Sequence, residues 1–136
     1  SSKLIENIKD KGLTIAIIVK SNFHNEGINF FTPNDLSQQL AYMSHPAGKN
    51  IQPHIHKKVK RDVHLTQETL FIRKGKLKVD FYSEDKEYLE SRTLESGDVI
   101  LLIQGGHGFE VLEDLVMFEV KQGPYAGDKD KIKFTP

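Results

Sequence analysis

The chain contains no cysteine. Disulfide stapling, thiolate catalysis, iron–sulfur clusters and thiolate zinc sites are thereby excluded. It also lacks an excess charge of either sign, with 19 Lys and Arg against 19 Asp and Glu. A surface that grips DNA or an anionic membrane without specificity needs a basic excess, so neither nucleic acid nor membrane is an expected partner. Long apolar runs are missing too. The longest, such as Val99–Ile103, are a strand's length, far short of the about 20 residues that cross a bilayer. Leu13–Val19 is apolar but closely flanked by charges, and no small-residue cleavage site follows it, so a secretory leader is not expected. These absences together predict a cytoplasmic protein.

What is present fits one domain. A chain of 136 residues with 38% hydrophobic and 28% charged side chains can bury a single core. No internal repeat, heptad array or low-complexity tract occurs. Residues 2–11 carry Leu4, Ile5 and Ile8 on one helical face before Gly12, which reads as a short helix or a covering segment. Leu13–Val19, rich in β-branched residues, reads as a strand. Thr32-Pro33-Asn34-Asp35 has the form of a cap with Pro at a first helical position and predicts a short helix through Leu40. From Ala41 onward, short apolar runs are broken by turn residues at Pro46-Ala47-Gly48, Ser83-Glu84-Asp85, Ser96-Gly97-Asp98 and Gln104-Gly105-Gly106. Such spacing belongs to an all-β sandwich or barrel. Phe71–Tyr82 reads as a hairpin turning at Lys74-Gly75-Lys76, and Val116, Phe118 and Val120 alternate as one more strand. The division expected is a strand with short helices over 1–40, a β-barrel over 41–122 and a surface tail over 123–136.

The residues that carry chemistry are few. His54 and His56 are two apart, so on a strand both imidazoles project to one face. Two imidazoles are half of a first-row metal site, which a carboxylate and a third imidazole complete. Glu68 and His107 are the candidates, the latter placed after Gly105-Gly106 where the backbone can turn tightly. The bland alternative is an exposed lysine-rich edge with solvated imidazoles and a solvent-facing carboxylate. Between His56 and Glu68 lie eleven residues that include Lys57, Lys58, Lys60, Arg61 and His64. They form either a solvated charged face or a loop over the site, where Arg61 and His64 would meet an anionic ligand. Tyr82 is a further candidate for substrate contact. Phe71, Phe81, Phe109 and Phe118 are expected in the core, and Asp98 as a turn residue.

Gly48-Lys-Asn-Ile-Gln-Pro-His54-Ile-His56, followed by Glu68 and Gly75, resembles the first motif of the cupin superfamily. Gly97 to His107-Gly108-Phe109 resembles the second. The likeness covers about Gly48 to Val120. It departs from the family in the long insert before Glu68, in a second motif one residue short, in Leu102 or Ile103 where proline is usual, and in Val111 where the motif has Asn. The resemblance implies a jelly-roll β-barrel with one divalent transition metal (Zn, Mn, Fe or Ni) on His54, His56, Glu68 and His107. His64 or Asp62 would stand in if the insert keeps Glu68 away. It further implies a metal-dependent enzyme of the isomerase or epimerase type acting on a small polar metabolite, a sugar or sugar phosphate. A metal-dependent dioxygenase and a non-catalytic binding or sensor module are the alternatives. Tyr82, Glu110 and His64 are candidate general bases. A homodimer is expected, with Leu13–Val19 as spare material for pairing between copies.

Overall fold

The computed structural model describes residues 3–136; Ser1 and Ser2, at the start of the expected N-terminal segment, lie outside the described residues. The chain is all-β, with 48% of residues in strands and almost no helix. Eight strands follow in order: β1 (Ile5–Asp10), β2 (Leu13–Val19), β3 (Gly27–Phe30), β4 (Ala41–Ser44), β5 (Glu68–Tyr82), β6 (Tyr88–Glu95), β7 (Val99–Leu102) and β8 (Gly106–Lys121). A 3-10 turn, Gly127–Asp130, lies in the tail. No helix among the described residues is long and apolar enough to cross a membrane.

Six strands form one antiparallel sheet and β3–β4 a separate two-stranded pair. Strand β5 is the axis of the large sheet. Along one edge its first residues pair with β7 and its last with β6, while β8 pairs along the other edge over the full length. The order then continues from β7 to β2 and β1. The sheet curls strongly into a half-barrel. Its core side holds Ile8, Ile18, Leu70, Ile72, Leu77, Val79, Phe81, Leu94 and Ile100. The opposite side at β2 and β7 presents Ile17 and Leu101, covered by Phe31, Leu36 and Leu40. Successive side chains on a strand point to opposite faces, so Ile15–Val19 of β2 and Ile100–Leu102 of β7 are apolar at every position because both faces are buried there.

Four expectations about the elements change, and of the phenylalanines expected in the core Phe71, Phe109 and Phe118 are exposed. Residues 5–10 are strand β1 rather than helix, because Ile5 to Asp10 pair residue by residue with β2; the tight link Lys11-Gly12, both at positive φ, sends the chain straight back. Residues 32–40 contain no helix. There the Thr32 hydroxyl donates to Gln39 and accepts from the Leu40 amide, and the Gln39 amide reaches the Pro33 and Leu36 carbonyls, so side chains hold an irregular turn. Leu13–Val19 is no spare strand either; it lies inside the sheet between β1 and β7.

The fourth change concerns Lys74-Gly75-Lys76, which is a bend within one continuous strand rather than a hairpin turn. β8 runs alongside the whole of β5 and supplies hydrogen-bond partners on both sides of the bend, with the register slipping between Ile72 and Leu77. Such bulges bend a strand and raise its twist. Gly75 sits at φ +95°, and a Cβ there would collide with the Asp114 carbonyl oxygen of β8. Only glycine lets the ribbon fold back at this point.

A second local clamp fixes the turn from β6 to β7. The buried Asp98 carboxylate accepts hydrogen bonds from the Lys20 ammonium at 2.9 Å, the Ser21 amide at 2.8 Å and the Glu95 amide at 2.7 Å. Expected as a plain turn residue, Asp98 instead ties the exit of β2 to the β6–β7 corner.

Candidate functional site

Bending brings the two ends of the β5–β8 ribbon together. Glu68 opens β5, and Phe81, thirteen residues later, pairs with His107. On a flat strand those positions would lie roughly 43 Å apart at about 3.3 Å per residue. In the curled sheet Glu68, Tyr82 and His107 line one cavity of about 790 Å³. Glu119 and Lys131 both act electrostatically on Glu68 and on His107, which places the four groups in one neighbourhood. A volume of this size suits a small metabolite.

The tail closes one side of the cavity. The Thr66 hydroxyl donates to the Asp130 carboxylate at 3.2 Å, and Lys121 lies 3.9 Å from the same carboxylate. Further on, the Phe134 ring packs edge-on against Tyr82, with centroids 5.2 Å apart, and fits over Gly106, where a Cβ would press on it. Between these two anchors Lys131, Ile132 and Lys133 line the cavity. Residues 123–136 were expected merely on the surface, and their part in the cavity wall was missed. Lys86, Lys121, Lys129, Lys131 and Lys133 all border the cavity, against Glu68, Glu84 and Asp130.

Burial first, then the hydrogen bond and negative charge of Glu119, pushes the Glu68 carboxyl up to about 7, with Lys121 and Lys131 opposing. The negative charge of Glu119 beside it makes ionising Glu68 costly, so the Glu68 carboxyl keeps its proton to a higher pH. Burial lowers His107 below the usual imidazole range, Glu119 opposes this, and Lys131 adds to the lowering. The pair is therefore a proton-carrying carboxyl and a neutral imidazole near neutral pH. That is the complement acid–base chemistry uses. Glu119 was not singled out from the sequence. Its position two residues before Lys121, on the face opposite Phe118 and Val120, was the available signal.

The remaining expected site residues are not brought here. His54 and His56 lie on an exposed segment without strand pairing, with their rings 5.1 Å apart and His54 Nδ1 3.0 Å from the Gln52 carbonyl. The common strand face expected for them is absent, because no strand among the described residues pairs with residues 51–64. Arg61 and His64, also exposed, border a separate shallow recess of about 350 Å³ with Gln122, Gly123 and Pro124. Thr66 and Asp130 stand between the two recesses. Asp62 and Glu110 are exposed. The four ligands expected for a metal thus divide into two in the cavity and two outside it. Among the described residues, no group of three or more His, Asp or Glu side chains is arranged to hold a metal ion. The four residues as placed do not fit that ion. No protein family, no curated protein and no solved structure matches the chain.

Proposed function

We propose that the chain is an enzyme of the isomerase or epimerase type that acts on a small anionic metabolite, a sugar phosphate being the class the motif resemblance favours. The observation that carries this reading is the convergence of Glu68 and His107 in a cavity bordered by five lysines. An isomerase moves a proton between neighbouring carbons. It needs one group to take the proton and another to give one within reach of the same substrate. Glu68 and His107 would take those two tasks, the charge of Glu119 strengthens the hold of Glu68 on its proton, and Lys129, Lys131 and Lys133 of the tail meet the anionic group. Tyr82 forms the cavity floor beside Phe134 and orients the substrate.

The test is solvent exchange. Aldose and ketose phosphates incubated with the protein in D₂O should take up deuterium at the carbon next to the carbonyl. Glu68→Gln should slow that uptake by about 100-fold or more. Binding without exchange across the panel would make the chain a binding or sensor module instead.

A second reading keeps the metal. Glu68 and His107 already share the cavity, and His54 and His56 belong to an exposed segment that would have to move in. In this reading that movement also closes the half-barrel into the jelly roll the motif resemblance implies. Elemental analysis discriminates: about one transition-metal equivalent per chain, lost in His54→Ala and in His107→Ala, supports it, and bound iron would turn attention to oxygenase chemistry. A cytoplasmic location accompanies either reading.

A further inference from the structure

The outer edge of β8 is the longest open feature of the sheet. Among the described residues β8 pairs only with β5, so sixteen residues of main chain present their other edge without a strand beside them. A Gln38 amide reaching the Val120 carbonyl at 3.5 Å is the one side-chain bond recorded to β8 main chain among the described residues. Phe109, Val111, Leu112 and Val116 on this strand are exposed, as are Phe71 and Phe118 on the paired positions of β5 and β8. Natural sheets blunt or cover long apolar edges, since such edges pair with other chains.

The same chain carries an extended segment with the matching properties. Residues 51–60 are exposed throughout and lie outside any strand or helix. Its even positions, Gln52, His54, His56, Lys58 and Lys60, are all polar, and its apolar members Ile51, Ile55 and Val59 share the odd positions with Pro53 and Lys57, so an extended strand would put the apolar side chains on one face. Ile55 is 92% exposed, an extreme for an isoleucine. Charge completes the match. The segment has Lys57, Lys58 and Lys60 and no acid, whereas β8 has Glu110, Glu113, Asp114 and Glu119 against Lys121 alone. Glu113 is already near Lys76 of β5 at 3.6 Å, an exposed pair, and Glu119 lies beside Glu68, which leaves Glu110 and Asp114 for a new partner.

We infer that residues 51–60 of one copy add as a strand to the free edge of β8 of a second copy, reciprocally, so that the protein is a strand-exchanged homodimer. The exchange satisfies two open main-chain edges at once and places lysines beside acids. A two-fold pair requires both contacts to be made by the same two surfaces, and here each copy carries one arm and one receiving edge. The dimer interface thereby shifts from Leu13–Val19, which is interior, to β8. The inference is independent of the acid–base reading, because it concerns the outer edge of β8 and uses neither Glu68 nor His107.

The test is a charge swap read by light scattering across concentration. One variant reverses the arm (Lys57→Glu, Lys58→Glu, Lys60→Glu), and the other reverses the edge (Glu110→Lys, Asp114→Lys). The wild type should be a dimer. Each variant alone should dissociate with a dimer constant about tenfold weaker or more, and an equimolar mixture should recover the dimer. Ile55→Asp, at a side chain too exposed to disturb the fold, should dissociate the dimer with an unchanged melting temperature of the monomer. A wild-type monomer at every concentration overturns the inference. So does a dimer that survives the arm reversal, the edge reversal or Ile55→Asp, or a mixture that stays monomeric.

Discussion

Asp98→Ala tests how the corner between β6 and β7 is held. Its carboxylate takes three charge-assisted hydrogen bonds, from Lys20, Ser21 and Glu95, while the side chain itself is 1% exposed. Each such bond contributes about 1.5–3 kcal/mol when an ionised acceptor is involved, but water recovers part of it at exposed partners. Ser21 and Glu95 are exposed residues, and the Lys20 side chain is 26% exposed, so the donors can turn to solvent. A net loss of about 3 kcal/mol follows, near the lower limit for breaking a buried ion pair. For a chain of this length the entropy of unfolding is about 0.3 kcal/mol per degree, so the melting temperature should fall by roughly 10 °C. Asp98→Asn keeps the shape and one acceptor oxygen and should lose about half as much. Urea unfolding followed by circular dichroism measures both, provided the slope with denaturant is unchanged. A loss under about 1 kcal/mol in Asp98→Ala would refute the clamp and return Asp98 to an ordinary turn residue.

Further outcomes follow from the site and its frame. Gly75→Ala should cost about 2 kcal/mol or more, since the added Cβ meets the Asp114 carbonyl and the position has positive φ; chemical denaturation checks it. Glu68 has a raised folded-state pKa, so its protonation stabilises the fold fully below about 4.5, and that contribution is lost as pH rises through about 7. Glu68→Gln should therefore flatten the fall in melting temperature across that window, in a pH series of thermal melts. Phe134→Ala removes the ring that packs on Tyr82 and should raise amide exchange over residues 129–136 while leaving exchange in β5 and β7 unaltered. Lys131→Ala should weaken binding of a sugar phosphate several-fold in calorimetry, with the effect shrinking at high salt.

The all-β class and most turns were legible, because alternation and turn residues are local signals. β2, β7 and the second half of β8 stand where the apolar runs placed them. The reading failed where tertiary pairing overrode local pattern. A Gly flanked by two lysines looks the same in a hairpin turn and in a bent strand. Only the presence of β8 along the whole of β5 decides between them. The helical face at Leu4, Ile5 and Ile8 is likewise overruled by pairing with β2. In the site, Glu68 and His107, expected as metal ligands with His54 and His56, and Tyr82, expected as a substrate contact, line one cavity, while His54 and His56 lie outside it. Glu119 and the lysines of the tail were missed because their nearness arises from the curl of the ribbon and from a strap anchored by Asp130 and Phe134, neither of which leaves a motif. Arg61 and His64 followed from the length of the insert, but the segment lies away from the cavity.

The measurement that tests the central claim most directly is an NMR titration of the protein with a sugar phosphate, following backbone amides and histidine ring protons. Binding in the cavity should move the signals of Glu68, His107 and residues 131–134 together, with one dissociation constant. Shifts confined to Arg61, His64 and residues 122–126, with Glu68 and His107 unmoved, would contradict the account and place the ligand in the shallow recess instead.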